Sequence, residues 1–377
     1  MRNIIKNGSI TLLTALFYFF LIGNIYSFFR LKQLKNSFYR SHDKHTLPNE
    51  SKYKKNIDSY ETNSYGDLCA LGGFYKNCYF SEGERKHRFK TDNYGFKTLA
   101  ALNKSDLIII GDSFLAASGG DEMNQQLGSV LSRLSLKNIY EAAHPGEISA
   151  YIKRHQELQY ENPEAKYIYL LFEGNDFEKI NNFTKEVLDK QDNFKKPRNS
   201  FRSIYTCSKE NPSDKSLCDI PLIKLMYVAY RAKKSLPKDI SRVKVLNLPL
   251  SKRNQAFLVD YINITEVDIK IPQKEFEFLL DKKNNICGIV YVPTAYATYV
   301  SKKSFKKRHP SLNSQFNSLN KKGIQIINLT IPLQKAAAIE NKIGPIWWGD
   351  DTHWNSKGIE LSARAISRNL NCINKDL

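Results

Sequence analysis

The run Ile108-Ile109-Ile110 stops at Gly111-Asp112-Ser113. A short stretch that is apolar at every position suits a strand covered on both faces, as in the middle of a parallel sheet. The Gly-Asp-Ser that follows reads as a tight turn. A serine on such a turn, at the carboxyl end of a strand, stands where α/β enzymes place their nucleophiles. The tripeptide alone is weak, because Gly-Asp-Ser is also common loop chemistry and Asp or Ser is a common helix cap.

The chain around it repeats the strand–helix pattern. Residues 106–110, 138–143, 167–172, 286–292 and 324–329 read as strands. A helix is expected at 125–136, where Leu127, Val130, Leu131 and Leu134 form an apolar stripe. Others are expected at 148–160, stopping before Pro163, and at 357–370. This alternation predicts an α/β domain, a doubly wound parallel five-stranded sheet of flavodoxin-like type. More than a hundred residues separate Asp176 from Ile286, far more than one crossover helix needs. An insertion over about 185–285 is therefore expected, and a cap over the site is a reasonable place for it. Residues 1–30 read as a membrane anchor, 31–100 as a stalk and a loop-rich preface, and 101–377 as the main domain.

With 41% hydrophobic and 12% aromatic residues in 377, the chain can build a real core. Its formal net charge of +19 raises nucleic acid as a partner. No zinc-ligand spacing, RNA-binding signature or basic heptad region supports that, so nucleic-acid binding is not expected. The densest basic run is Lys302, Lys303, Lys306, Lys307 and Arg308, which suits lipid headgroups or an acidic glycan. No charged residue falls between positions 7 and 29, and residues 10–29 are about as long as a helix needs to span a bilayer. An uncleaved anchor in the membrane lipid bilayer is expected. Four of the six cysteines form two close couples, Cys69 with Cys78 and Cys207 with Cys218, each able to close a short disulfide loop. Cys287 reads as a core residue, and Cys372 carries no signal. The couples favour an oxidising, extracytoplasmic location, although the basic residues after the anchor pull toward the cytoplasm.

Ester cleavage by a serine needs a base, a carboxylate to orient it, and donors for the oxyanion. His353 lies in Gly349-Asp350-Asp351-Thr352-His353-Trp354-Asn355, just before the last helix. Asp350 and Asp351 both stand within reach of its imidazole. Gly146 leaves the second strand, where a backbone N–H can approach a substrate unhindered. Asn175 ends the third strand with its side-chain amide over the sheet edge. In a doubly wound sheet all these points lie on one edge, where ligands bind.

On these residues the chain resembles the SGNH hydrolases, the GDSL-type esterases. Ser113, Gly146, Asn175 and His353 match the four blocks that name the family, and Asn93-Tyr94-Gly95-Phe96 resembles a lead-in found in membrane-linked members. The sequence departs at Glu173, where the family usually has glycine. The usual family spacing selects Asp350 as the acid. The Asp-x-His-Trp form of polysaccharide O-acetyltransferases selects Asp351, which Trp354 favours. The resemblance implies a Ser113–His353–Asp triad and an oxyanion hole of Ser113, Gly146 and Asn175, with no cofactor and no metal. It implies an esterase or O-acyltransferase acting on acylated cell-envelope glycans. A lipid esterase and a non-catalytic binding protein of the same fold are the alternatives. Asp112 is expected to cap a helix that follows it.

Overall fold

In a computed structural model of the chain, the described residues are 18, 20–26, 44–47, 52–72, 78–180, 242–248 and 253–374. The chain forms two compact units, one of residues 1–38 with 183–238 and one of residues 39–182 with 239–377. In the first unit the described residues are helical and leave Phe20, Leu21, Ile22 and Ile25 exposed. The span expected at 10–29 lies largely outside the described residues, among which no helix is long and apolar enough to cross a membrane. Cys207 and Cys218 also lie outside them.

The second unit is an α/β fold. A hairpin of β1 (Asp58–Asn63) and β2 (Arg85–Lys90) precedes the main sheet. That sheet contains β3 (Leu107–Gly111), β4 (Ile139–Ala143), β5 (Lys166–Phe172), β10 (Ile286–Val292) and β11 (Gln325–Asn328). Its order is β4-β3-β5-β10-β11, and every neighbouring pair is parallel. Between them, Glu178–Lys179 (β6) pairs with Ile269–Lys270 (β9), and Val243–Leu248 (β7) with Arg253–Leu258 (β8). The five expected strands are present to within a residue or so at each end.

Alternate side chains of each strand enter opposite layers. Leu107, Ile109, Ile168, Leu170, Val290 and Val292 pack on one face with Leu127–Ser135 and Ser356–Asn369. Ile108, Ile110, Tyr167, Tyr169, Leu171 and Tyr291 pack on the other with Ile148–Glu161 and Pro310–Lys321. Both layers are needed because β3 is buried at all five positions, and each fully buried Ile contributes about 1.5–3 kcal/mol.

Two readings change. Residues 52–63, taken as the end of a stalk, belong to the compact unit: Tyr53 is fully buried and β1 pairs along its whole length with β2. The lead-in at Asn93-Tyr94-Gly95-Phe96 is a turn pinned by Asp92, whose Oδ1 accepts from the Tyr94 and Phe96 N–H groups at 2.9 and 3.0 Å. Gly95 has φ of +85°, and a Cβ there would fall 2.4 Å from Tyr53 O, so glycine is required. Cys287 and Cys372, read as unrelated, form a disulfide between β10 and the chain after the last helix. A loop of that sequence separation, 85, constrains the unfolded chain by roughly 4–5 kcal/mol. The Cys69–Cys78 couple is bonded as expected.

Beneath β5, His155 stacks on Tyr167 at 3.8 Å and receives the Tyr169 hydroxyl at Nδ1, 2.9 Å. Burial, with a smaller push from Lys282, lowers its pKa to about 4. Between that value and the unfolded value near 6.5 the unfolded chain binds the extra proton, so stability is lost as pH falls through this window. Urea unfolding at stepped pH should show wild type losing roughly 3 kcal/mol more than His155→Phe between about pH 7 and 4. Parallel pH curves for the two would reject this role.

Candidate active site

The Gly111-Asp112-Ser113 turn forms where β3 runs out. The Asp112 carboxylate accepts the Phe114 N–H at 2.8 Å, and Asp112 O accepts the Ala116 N–H at 3.1 Å. No helix follows directly: the chain continues in turns to Gly120, so Asp112 caps a turn rather than the expected helix. Ser113 is left half-buried at the sheet's carboxyl edge, beside the β3–β5 boundary where the strand order reverses.

The loop before the last helix brings the base to this serine. His353 Nε2 lies 2.7 Å from Ser113 Oγ, and its Nδ1 lies 2.5 Å from Asp351 Oδ1. The same carboxylate oxygen accepts the His353 backbone N–H at 3.1 Å. Asn355 caps the helix, accepting from the N–H groups of Lys357 and Gly358 at 3.0 and 3.1 Å, so Asp351 is not needed as a cap. Trp354 Nε1 donates to Phe114 O at 3.1 Å and ties the two loops together.

Asp350 turns the other way. Its Oδ2 accepts from Gly66 N and Glu82 N at 2.9 and 3.1 Å, and its Oδ1 pairs with Arg85. Of the two carboxylates left open by spacing, only Asp351 touches the imidazole. A Cβ at residue 66 would lie 2.0 Å from Asp350 O, so the close approach requires glycine.

The preface supplies groups that sequence reading missed. Arg85 on β2 donates to Gly119 O at 2.9 Å, lies 3.6 Å from Asp351 Oδ2, and stacks 4.1 Å over Trp348. It therefore links the nucleophile loop to the acid loop. Buried Lys97 donates to Ala116 O at 2.8 Å, and burial lowers its pKa to about 8. Asp67, at the start of Asp67–Leu71 (α1), contacts Thr352 and lies 3.9 Å from His353 Nδ1. Asp67 and Arg85 stand 285 and 265 positions from their partners in the histidine loop, so no local pattern marks them. From the insertion, Gln255 and Ala256 on β8 donate to Trp348 O and Gly349 O at 2.9 and 3.0 Å. The described part of the insertion thus braces the histidine loop.

Gly146 and Asn175 complete the edge. Asn175 Nδ2 lies 3.3 Å from Asp112 Oδ2 and 3.5 Å from Gly146 O, and its side chain is exposed. Among the described residues, neither the Ser113 nor the Gly146 N–H donates to a protein acceptor. Arg154 is buried below: it donates to Gly111 O at 2.8 Å, Ala142 O at 3.3 Å and His144 O at 3.0 Å, fixing the ends of β3 and β4. Burial raises the pKa of Asp112 and, well above the ordinary range, that of Asp176, where the Asp112 charge adds to it. Glu173 faces away from this edge. Its carboxylate takes the Thr294 N–H at 2.7 Å, His309 Nε2 at 2.7 Å, and the Arg308 guanidinium.

Asp67, Asp351 and His353 place one ligating atom each within 4.8 Å of one another. Donors from Thr352, Asp67 and His353 engage these carboxylates. The arrangement can take a proton from Ser113 and hold the resulting imidazolium. No family model matches the chain, and comparison with curated proteins finds no significant match.

Proposed function

We propose that the chain is a serine esterase or O-acyltransferase of the SGNH kind. One observation carries this: Ser113 Oγ, His353 and Asp351 form a continuous relay, with contacts of 2.7 and 2.5 Å, at the ligand-binding edge of a parallel sheet. Ser113 Oγ attacks the ester carbonyl while His353 Nε2 takes its proton. The tetrahedral oxyanion faces the Ser113 and Gly146 N–H groups and the Asn175 amide. The imidazolium, held by Asp351, then protonates the leaving alcohol. Water or a sugar hydroxyl next gives its proton to His353 and accepts the acyl group, which frees Ser113.

The two disulfides support an oxidising compartment. The exposed apolar residues of 20–26 suit a lipid surrounding, and together these favour an anchored protein with its site outside the cytoplasm. An acylated envelope glycan is the substrate that placement suggests. The apolar crevice beside Asp351 and Thr352, lined by Leu68, Phe257, Tyr261 and Tyr296, has a volume of about 10 Å³.

A fluorophosphonate probe should label the wild-type protein, and labelling should vanish in Ser113→Ala with the fold intact by circular dichroism. Equal labelling of both, or none of well-folded wild type, would count decisively against the serine mechanism.

A further inference from the structure

Behind the relay stands a second carboxylate that the mechanism above does not use. Asp67 Oδ1 accepts the Thr352 N–H at 2.7 Å, and Oδ2 accepts the Thr352 hydroxyl at 2.5 Å. Thr352 is the residue between acid and base, so these two bonds hold the turn that sets the Asp351–His353 geometry. The Asp67 N–H donates to Asp351 Oδ2 at 2.9 Å, on the oxygen that His353 leaves free. Asp67 Oδ2 is itself 3.9 Å from His353 Nδ1, and both side chains are almost wholly buried.

The support is rigid. The Leu68 N–H donates to Asp350 O at 3.1 Å, and the Cys69–Cys78 disulfide closes the loop that follows. Leu68, Cys69 and Phe80 pack with Ala256 and Leu258 of β8 in a small core of their own. Asp67 therefore cannot swing away without disturbing three elements.

We infer that Asp67 is a positioning residue of the relay: it fixes the Asp351–Thr352–His353 turn and places a second negative charge behind the imidazole. The inference rests on the Ser113–His353–Asp351 reading. When His353 takes the serine proton its ring becomes cationic in a water-poor site, where a carboxylate about 4 Å away acts far more strongly than in bulk water. Among the described residues, charged groups near the ring include Asp351 and Asp67 at Nδ1, Asp112 beside the serine, and Asp350 with Arg85 behind the acid.

The test compares wild type, Asp67→Asn and Asp67→Glu in the full chain, with p-nitrophenyl acetate as the probe ester. Asn keeps an acceptor for Thr352 N–H but removes the charge. Asp67→Asn should lower kcat roughly tenfold with KM unchanged, and the acid limb of kcat/KM should move down by about one pH unit. Asp67→Glu should return the limb toward wild type. A purely structural Asp67 would lower activity with the limb unmoved, and that result overturns the inference. So does an Asp67→Asn chain that fails to fold. The His353 ring-proton titration, followed by NMR in a Ser113→Ala background, gives the same answer without turnover. An inactive wild type whose His353 titration still shifts in Asp67→Asn refutes the esterase reading alone. An active wild type with an unmoved titration refutes the Asp67 inference alone.

Discussion

Asp351→Asn should lose about 10⁴ in kcat on p-nitrophenyl acetate while remaining folded, whereas Asp350→Asn should keep most activity and lose stability instead. The carboxylate of Asp351 accepts at 2.5 Å from His353 Nδ1, which leaves Nε2 free to take the serine proton. An asparagine that turns its amide N–H toward Nδ1 would select the other tautomer, with a proton already on Nε2. Asp350 makes no such contact. It neutralises buried Arg85 and accepts two backbone N–H groups of the preface. Breaking one partner of a buried pair strands the other, at roughly 3–5 kcal/mol. Steady-state kinetics and thermal melts on the two variants separate the roles. Equal kcat losses in both would show that the neighbouring carboxylates share one function.

Glu173→Ala should destabilise the domain by about 3–5 kcal/mol, read from urea unfolding at neutral pH. Glu173, Arg308 and His309 are fully buried and meet on one carboxylate. Burial pushes the Glu173 carboxyl upward, but His309 and Arg308 outweigh it and leave its pKa below the usual carboxylate range. A depressed carboxyl stabilises the fold above its unfolded pKa, and that contribution is lost as pH falls through the folded value. Alanine leaves the Arg308 charge and the Thr294 N–H without this acceptor. Glu173→Gln should cost less, because it keeps an acceptor for Thr294. An alanine variant as stable as wild type would show that Arg308 and His309 find other partners. Glu173 is thus an anchor for the chain after β10, and Asn175 stays at the sheet edge.

The candidate site residues were legible because each ends a strand or stands just before a helix. Ser113, Gly146 and Asn175 follow β3, β4 and β5, and parallel topology brings those ends to one edge. The acid was legible only as a choice of two. Asp350 and Asp351 stand three and two residues before His353, both within reach, and it took contacts from residues 66–85 to turn one of them away. Arg85, Lys97 and Arg154 gave no signal, since a basic residue in a basic chain reads as surface. Their partners are mostly backbone carbonyls or carboxylates brought near by folding. The Cys287–Cys372 bond was hidden for a similar reason: one thiol sits within a strand that reads as core, and the other lies 85 residues later.

The strands, the parallel sheet, the Gly-Asp-Ser turn and the histidine loop were legible in the sequence, because periodicity and turn chemistry act over a few residues. Folding alone brought Asp351 rather than Asp350 to His353, built the preface into the candidate site, and placed Asp67 beside His353. Those outcomes depend on burial and on hydrogen bonds between segments more than two hundred residues apart, and no local pattern encodes them.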